Sequence, residues 1–266
     1  MGTMGATAER PAKFAGTHSW DRNFFLSMVA LIWLGILMGF VPEIIQNFHQ
    51  HKHYPLIVHI HAVAFVAWLC LLLTQVLLIR ARRTDLHRKL GVAGACLYGT
   101  MIFLGIAAAV TEARLQFGTP DSDPSFLSIQ FADMLSFTVL GGAALAFRKT
   151  PSAHKRLILL ATIFIGNAGY ARWWGDGLHD LLGAGQGLTD PYLANLADGY
   201  WVNLLGEYLA DFLLVAALGA YDLVTRRRLH PAYIFGATWG LGFELIAIWL
   251  YMSPWWRPVA IVIIGR

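Results

Sequence analysis

The stretch FFLSMVALIWLGILMGFV, Phe24 to Val41, contains no charged side chain and a single serine. A helix needs about 20 mainly apolar residues to cross a hydrocarbon core about 30 Å thick. With its flanks this run meets that length. No small-residue cleavage site follows it, so it is expected to be a retained helix and not a signal peptide.

The same pattern recurs outward from this run. Seven spans are expected, at 23–43, 61–80, 89–110, 126–147, 155–173, 202–225 and 232–252. The composition agrees: 57% of the 266 residues are hydrophobic and 14% charged, against about 25% charged in soluble domains. The expected fold class is all-α, a polytopic membrane protein with about seven transmembrane helices. Residues 1–22 form a polar N-terminal segment, 23–252 the membrane domain and 253–266 a short tail. Val259 to Ile264 is too short to span and is expected at the membrane interface.

The basic residues give an orientation. Arg80, Arg82, Arg83, Arg88 and Lys89 crowd the loop between spans two and three. Arg148, Lys149, Lys155 and Arg156 crowd the loop between spans four and five, and Arg226, Arg227 and Arg228 follow span six. With seven spans these loops share one side with Lys13 and Arg22. The expectation is a bacterial-type inner membrane, N-terminus cytoplasmic and C-terminus outside, with membrane lipids as partners. The net charge of +4 then reports topology and not nucleic-acid binding, because the basic residues sit at helix ends. Trp173, Trp174, Trp201, Trp255 and Trp256 fall at the outer interface as an aromatic belt. The outer connection 174–200, rich in Gly and Asp, is the longest, as lids and mobile loops are.

Two turns resemble each other. RARRTDLHRKLG (Arg80–Gly91) joins spans two and three, and RKTPSAHKRL (Arg148–Leu157) joins spans four and five. Each runs from basic residues through a short polar turn to His, two basic residues and Leu. His87 and His154 are therefore equivalent, and a duplicated hairpin would give a four-helix core. Two neutral imidazoles facing each other are what a six-coordinate b-type haem requires, and bundle interiors hold such cofactors. The alternative is that each borders the interface beside the topogenic basic residues.

A second group is His49, His51, His53, His59 and His61, imidazole being the commonest metal ligand. His49, His51 and His53 alternate in a polar loop. His59 and His61 meet the start of span two, and residues two apart point to nearly opposite sides of a helix. Both bind one ion only if His59 precedes the first turn. His179, in the long loop, could complete a non-haem metal site with His59 and His61. Cys70 and Cys96 fall mid-helix at similar depth, as small apolar packing residues or as a redox pair.

The third group is a polar stripe. Asn203, Glu207 and Asp211 follow at i, i+4 and i+8 on span six and share one face. Asp211 is near mid-bilayer and Glu244 is at similar depth on span seven. Asp133 and Asn167 are also intramembrane. Hydrocarbon penalises a central carboxylate by roughly 2.5–3.5 kcal/mol on insertion scales. The stripe is either a structural hydrogen-bond network or a catalytic, proton or substrate site, with Glu207, Asp211 and Glu244 as the reactive groups. No Walker loop, dinucleotide fingerprint, H-E-x-x-H or G-x-S-x-G segment is present.

HRKLGVAG (87–94) and AHKRLILLA (153–161) resemble segments of a broad group of bacterial multi-pass membrane proteins of unknown function, matched here at His61, His87 and His154 over residues 20–175. More distantly, the duplicated hairpin looks like cytochrome b561 and ferric-reductase bundles. That resemblance implies haem b held by paired histidines, though span four has no His to pair with His61. The leading expectation is a haem- or metal-binding membrane oxidoreductase serving a lipid-soluble electron donor. The second is a proton-coupled transporter lined by Asp133, Asn167, Glu207, Asp211 and Glu244. The third is a non-haem metal enzyme acting on a lipid-soluble substrate.

Overall fold

The structure is a computed structural model and describes residues 14, 17–120, 122–175, 177 and 191–266. The described residues form helices α1 (Asp21–His49), α2 (Leu56–Arg80), α3 (Thr84–Gln116), α4 (Leu127–Ala146), α5 (Pro151–Tyr170), α6 (Pro191–Asp198), α7 (Tyr200–Arg226), α8 (Pro231–Tyr251) and α9 (Trp256–Ile263). A 3-10 turn, Pro124–Phe126, precedes α4, and a π turn, Ala171–Gly175, follows α5. No strand occurs among the described residues. The chain is an all-α, multi-pass membrane protein.

Six helices are long and apolar enough to cross a membrane: α1, α2, α3, α4 with its preceding turn, α7 and α8. The remaining expected span, the fifth, corresponds to α5, which is 20 residues long and carries His154, Lys155 and Arg156 in its first two turns. It tolerates them because it lies inside the protein, packed against α1, α4, α7 and α8. The hairpins α2–α3 and α4–α5 both form and meet through α3 and α4. The Trp68 indole on α2 donates to the Thr162 hydroxyl on α5 at 3.2 Å, closing the four-helix core.

Close backbone approach seats α1 on α5. A Cβ added at Gly39 would stand 2.1 Å from the Gly169 carbonyl oxygen. Small residues at such crossings let helices gain dispersion contacts that lipid cannot outcompete. Tyr170 then donates its hydroxyl to the Leu31 carbonyl at 2.6 Å.

The basic loops gather at one end, here the arginine end. Arg22 and Arg80 each donate to the other's backbone carbonyl, at 2.8 and 3.1 Å. Asp21 accepts from Lys155 at 2.7 Å, from Tyr221 at 2.5 Å and from Arg226 at 2.8 Å. The opposite end carries the exposed indoles of Trp173, Trp174, Trp201 and Trp255 and is the tryptophan end. Trp256 departs from the expected belt. It is buried and donates to the Ser125 carbonyl at 2.9 Å, because α9 docks on the 3-10 turn.

Three boundaries differ from expectation. The stretch 174–200 is not all loop, since it contains α6. His49 is the last residue of α1 and not part of the polar loop. Helix α2 starts at Leu56, directly after Pro55 in extended conformation.

Candidate functional site

The membrane core is divided by a polar layer. On its arginine side lies the larger apolar cluster, with Leu140, Leu157, Leu160, Phe164, Val215 and Leu218. On its tryptophan side lies a second cluster in which Tyr192, Tyr208 and Tyr251 pack with Ile129, Leu204 and Ile248. Between them are Asp133 on α4, Asn167 on α5, Asp211 on α7 and Glu244 on α8.

Helical periodicity sets the α7 contribution. Asn203 and Asp211 are buried and Glu207 is half-buried on the same face, which turns inward because lipid cannot solvate carboxylates. Asn167, Asp211 and Glu244 are 0–1% exposed, and Asp133 is partly buried. Asn167 donates to one Asp133 oxygen at 3.5 Å, and the Tyr208 hydroxyl to the other at 3.4 Å. Both bonds are long. Asp211 and Glu244 lie within hydrogen-bonding reach of each other, and neither they nor the Asn167 amide oxygen have another hydrogen-bond partner among the described residues.

No Lys, Arg or His among the described residues forms an ion pair with Asp133, Asp211 or Glu244. Like charges in a low-dielectric interior repel strongly, and each ion also loses its hydration. This group of carboxyls is therefore stable only when protons or a bound cation balance it. Such a group can hold positive charge in the form of protons.

The arginine end holds the opposite arrangement. Arg156 and Asp222 form a two-pronged ion pair, its Nε bond 2.7 Å long, and neither side chain has exposed surface. Beside them His230 caps α8, its Nδ1 accepting from the Ala232 amide at 3.0 Å and its Nε2 lying 3.2 Å from the Ser152 hydroxyl. Burial, with the Arg156 guanidinium next, holds the His230 imidazole down at about 4.

Of the other sequence candidates, His87 and His154 are brought together. Their ring centroids lie 6.5 Å apart with planes at 83°. His154 Nδ1 is 2.8 Å from the Ala144 carbonyl, and the His87 Nδ1 is buried with no hydrogen-bond partner among the described residues. His59 and His61 do not make the expected pair. Both lie inside α2, because Pro55 starts the helix early; His59 is exposed and His61 is half-buried against Phe65. His179 lies outside the described residues. Among the described residues no three His, Cys, Asp or Glu side chains gather as metal ligands. Cys70 and Cys96 are unpaired and face outward.

The sequence reading missed Tyr208, which touches Asp133, and the Arg156–Asp222–His230 group. Tyr208 adjoins the stripe residue Glu207, and that adjacency was the one available signal. Comparison of the chain with protein-family models, curated proteins and solved structures finds no match in any of the three.

Proposed function

We propose that this chain is a proton-coupled membrane transporter whose charge-binding site is Asp133, Asp211 and Glu244, with Glu207 beside them. The observation that carries the proposal is the burial of Asp211 and Glu244 at 0% and 1% exposure with no cation paired to them among the described residues. Hydrocarbon penalises such groups, and intramembrane carboxylates serve proton and ion pathways. Asn167 and Tyr208 hold Asp133 in place. The arginine end is placed in the cytoplasm of a bacterial inner membrane by the positive-inside rule.

The test is proton movement in liposomes holding the purified protein, driven by a pH gradient. Asp211→Asn keeps size and hydrogen bonding while removing the ionisable group. Proton movement above that of empty liposomes, lost in this folded variant, supports the reading. Unchanged movement in Asp211→Asn, or none in the wild type, defeats it.

A second reading concerns His87 and His154. Metal-bound histidines usually give their other ring N–H to a carbonyl. The His154 contact with Ala144 fits that habit and leaves Nε2 for a metal. The donor set thus fits haem b, which His87 and His154 would hold and which would supply one-electron chemistry. Pure protein made with ample haem would then show a Soret band that His87→Ala and His154→Ala each remove. A colourless product rejects it.

A further inference from the structure

We propose that the central carboxyl groups are reached from the tryptophan end, and that Phe164 seals them from the arginine end. This rests on the charge-binding reading of the site and adds the side from which it is loaded.

The site is off-centre. On α8, Glu244 stands seven residues from Tyr251 at the tryptophan end, about 10 Å of helix, but thirteen from Pro231, about 20 Å. On α4, Asp133 stands six residues from Leu127 and thirteen from Ala146.

The two flanking layers differ in chemistry. Toward the tryptophan end polar side chains run through the tyrosine-rich cluster. Glu207 and then Asn203 continue the Asp211 face of α7, one turn apart. The Asn203 amide donates to the Asn195 carbonyl at 2.6 Å. Asn195 in turn donates to the Tyr251 hydroxyl at 2.7 Å, and Tyr251 donates to the Asp123 carboxylate at 2.6 Å. Glu207 is only half-buried, unlike Asp211. These direct hydrogen bonds make a continuous polar chain from the Asp211 face to Asp123 at the tryptophan end.

Toward the arginine end the described residues between the carboxyl site and the Arg156–Asp222 pair include the buried polar side chains Ser136 and Thr162, and Thr162 is bonded to Trp68 and to the Ile158 carbonyl rather than to the carboxyl site. Asn167 and Arg156 lie eleven residues apart on α5, as do Asp211 and Asp222 on α7, about 16 Å in each case. Between these floors Leu160, Phe164 and Leu218 have no exposed surface, and Leu140 joins them from α4. The tip of the Phe164 ring abuts Gly240, where an added Cβ would stand 1.9 Å from its Cζ. Leu160 covers Gly236 in the same way, at 2.6 Å. Cavities in a layer of this kind stay dry. Phe164 fills the space that Gly240 leaves, so the layer is closed at that point.

The test uses a membrane-impermeant, water-soluble carbodiimide, which adds to a protonated carboxyl and leaves an N-acylurea identified by mass spectrometry. It is applied at pH 5 to sealed vesicles of each orientation. The expected result is labelling of Glu207 or Asp211 only when the tryptophan end faces the reagent. Labelling from the arginine end, or from neither side, overturns the proposal. In Phe164→Ala, labelling from the arginine end should appear. Its absence there, in protein folded by circular dichroism, removes Phe164 as the seal; if the alanine variant does not fold, Phe164→Leu is read in the same assay. Labelling reports access and not transport, so it can succeed where the proton assay fails.

Discussion

Arg156 and Asp222 close a two-pronged ion pair inside the protein, while eleven residues away on the same two helices Asn167 and Asp211 have no cation beside them among the described residues. One floor of the bundle is neutralised by a partner and the other is left for a mobile charge. Asp222→Asn leaves the Arg156 guanidinium buried and uncompensated, which should cost about 3–5 kcal/mol. Replacing both residues by apolar ones should recover most of that loss. Unfolding in detergent, read for each single variant and the double, checks this.

The His230 imidazole predicts an acid limit to stability. Its folded value of about 4 lies below the ordinary 6.5, so between these values the unfolded chain binds more protons. Its contribution is fully present above pH 6.5 and falls as pH drops from about 6.5 to about 4. His230→Asn keeps a capping side chain and should flatten the melting temperature over that range. An equal slope in wild type and variant would remove His230 as the cause.

Gly39 and Gly99 should respond differently to alanine. At Gly39 the new methyl meets the Gly169 carbonyl at 2.1 Å, whereas at Gly99 nothing lies within 4 Å. Overpacking typically costs about 1–3 kcal/mol. Gly39→Ala should therefore lower the melting temperature and Gly99→Ala, in open space within α3, should raise it slightly because alanine favours a helix interior over glycine, as differential scanning fluorimetry would show.

The arginine end should face the cytoplasm. A reporter fused after Arg228 is expected inside and one fused after Arg266 outside. The reverse pattern at both sites would invert the direction of loading argued from Glu207.

The sequence alone determined the all-α, multi-pass character and which residues share a helix face. Both are local properties: apolar run length, and a period of 3.6 residues that puts Asn203, Glu207 and Asp211 in line. It also pointed to the meeting of His87 and His154, because two copies of one turn occupy equivalent places in paired hairpins. Tertiary packing decided the rest. It put α5, the least apolar expected span, in the middle, where α1, α4, α7 and α8 shield its polar residues. It brought Asp133, Asn167 and Glu244 to Asp211 from three other helices, and it gave Asp222 an arginine while leaving Asp211 none. Whether a buried carboxylate has a partner depends on how neighbouring helices rotate and slide, and those degrees of freedom belong to contacts between helices rather than to the period of any one of them.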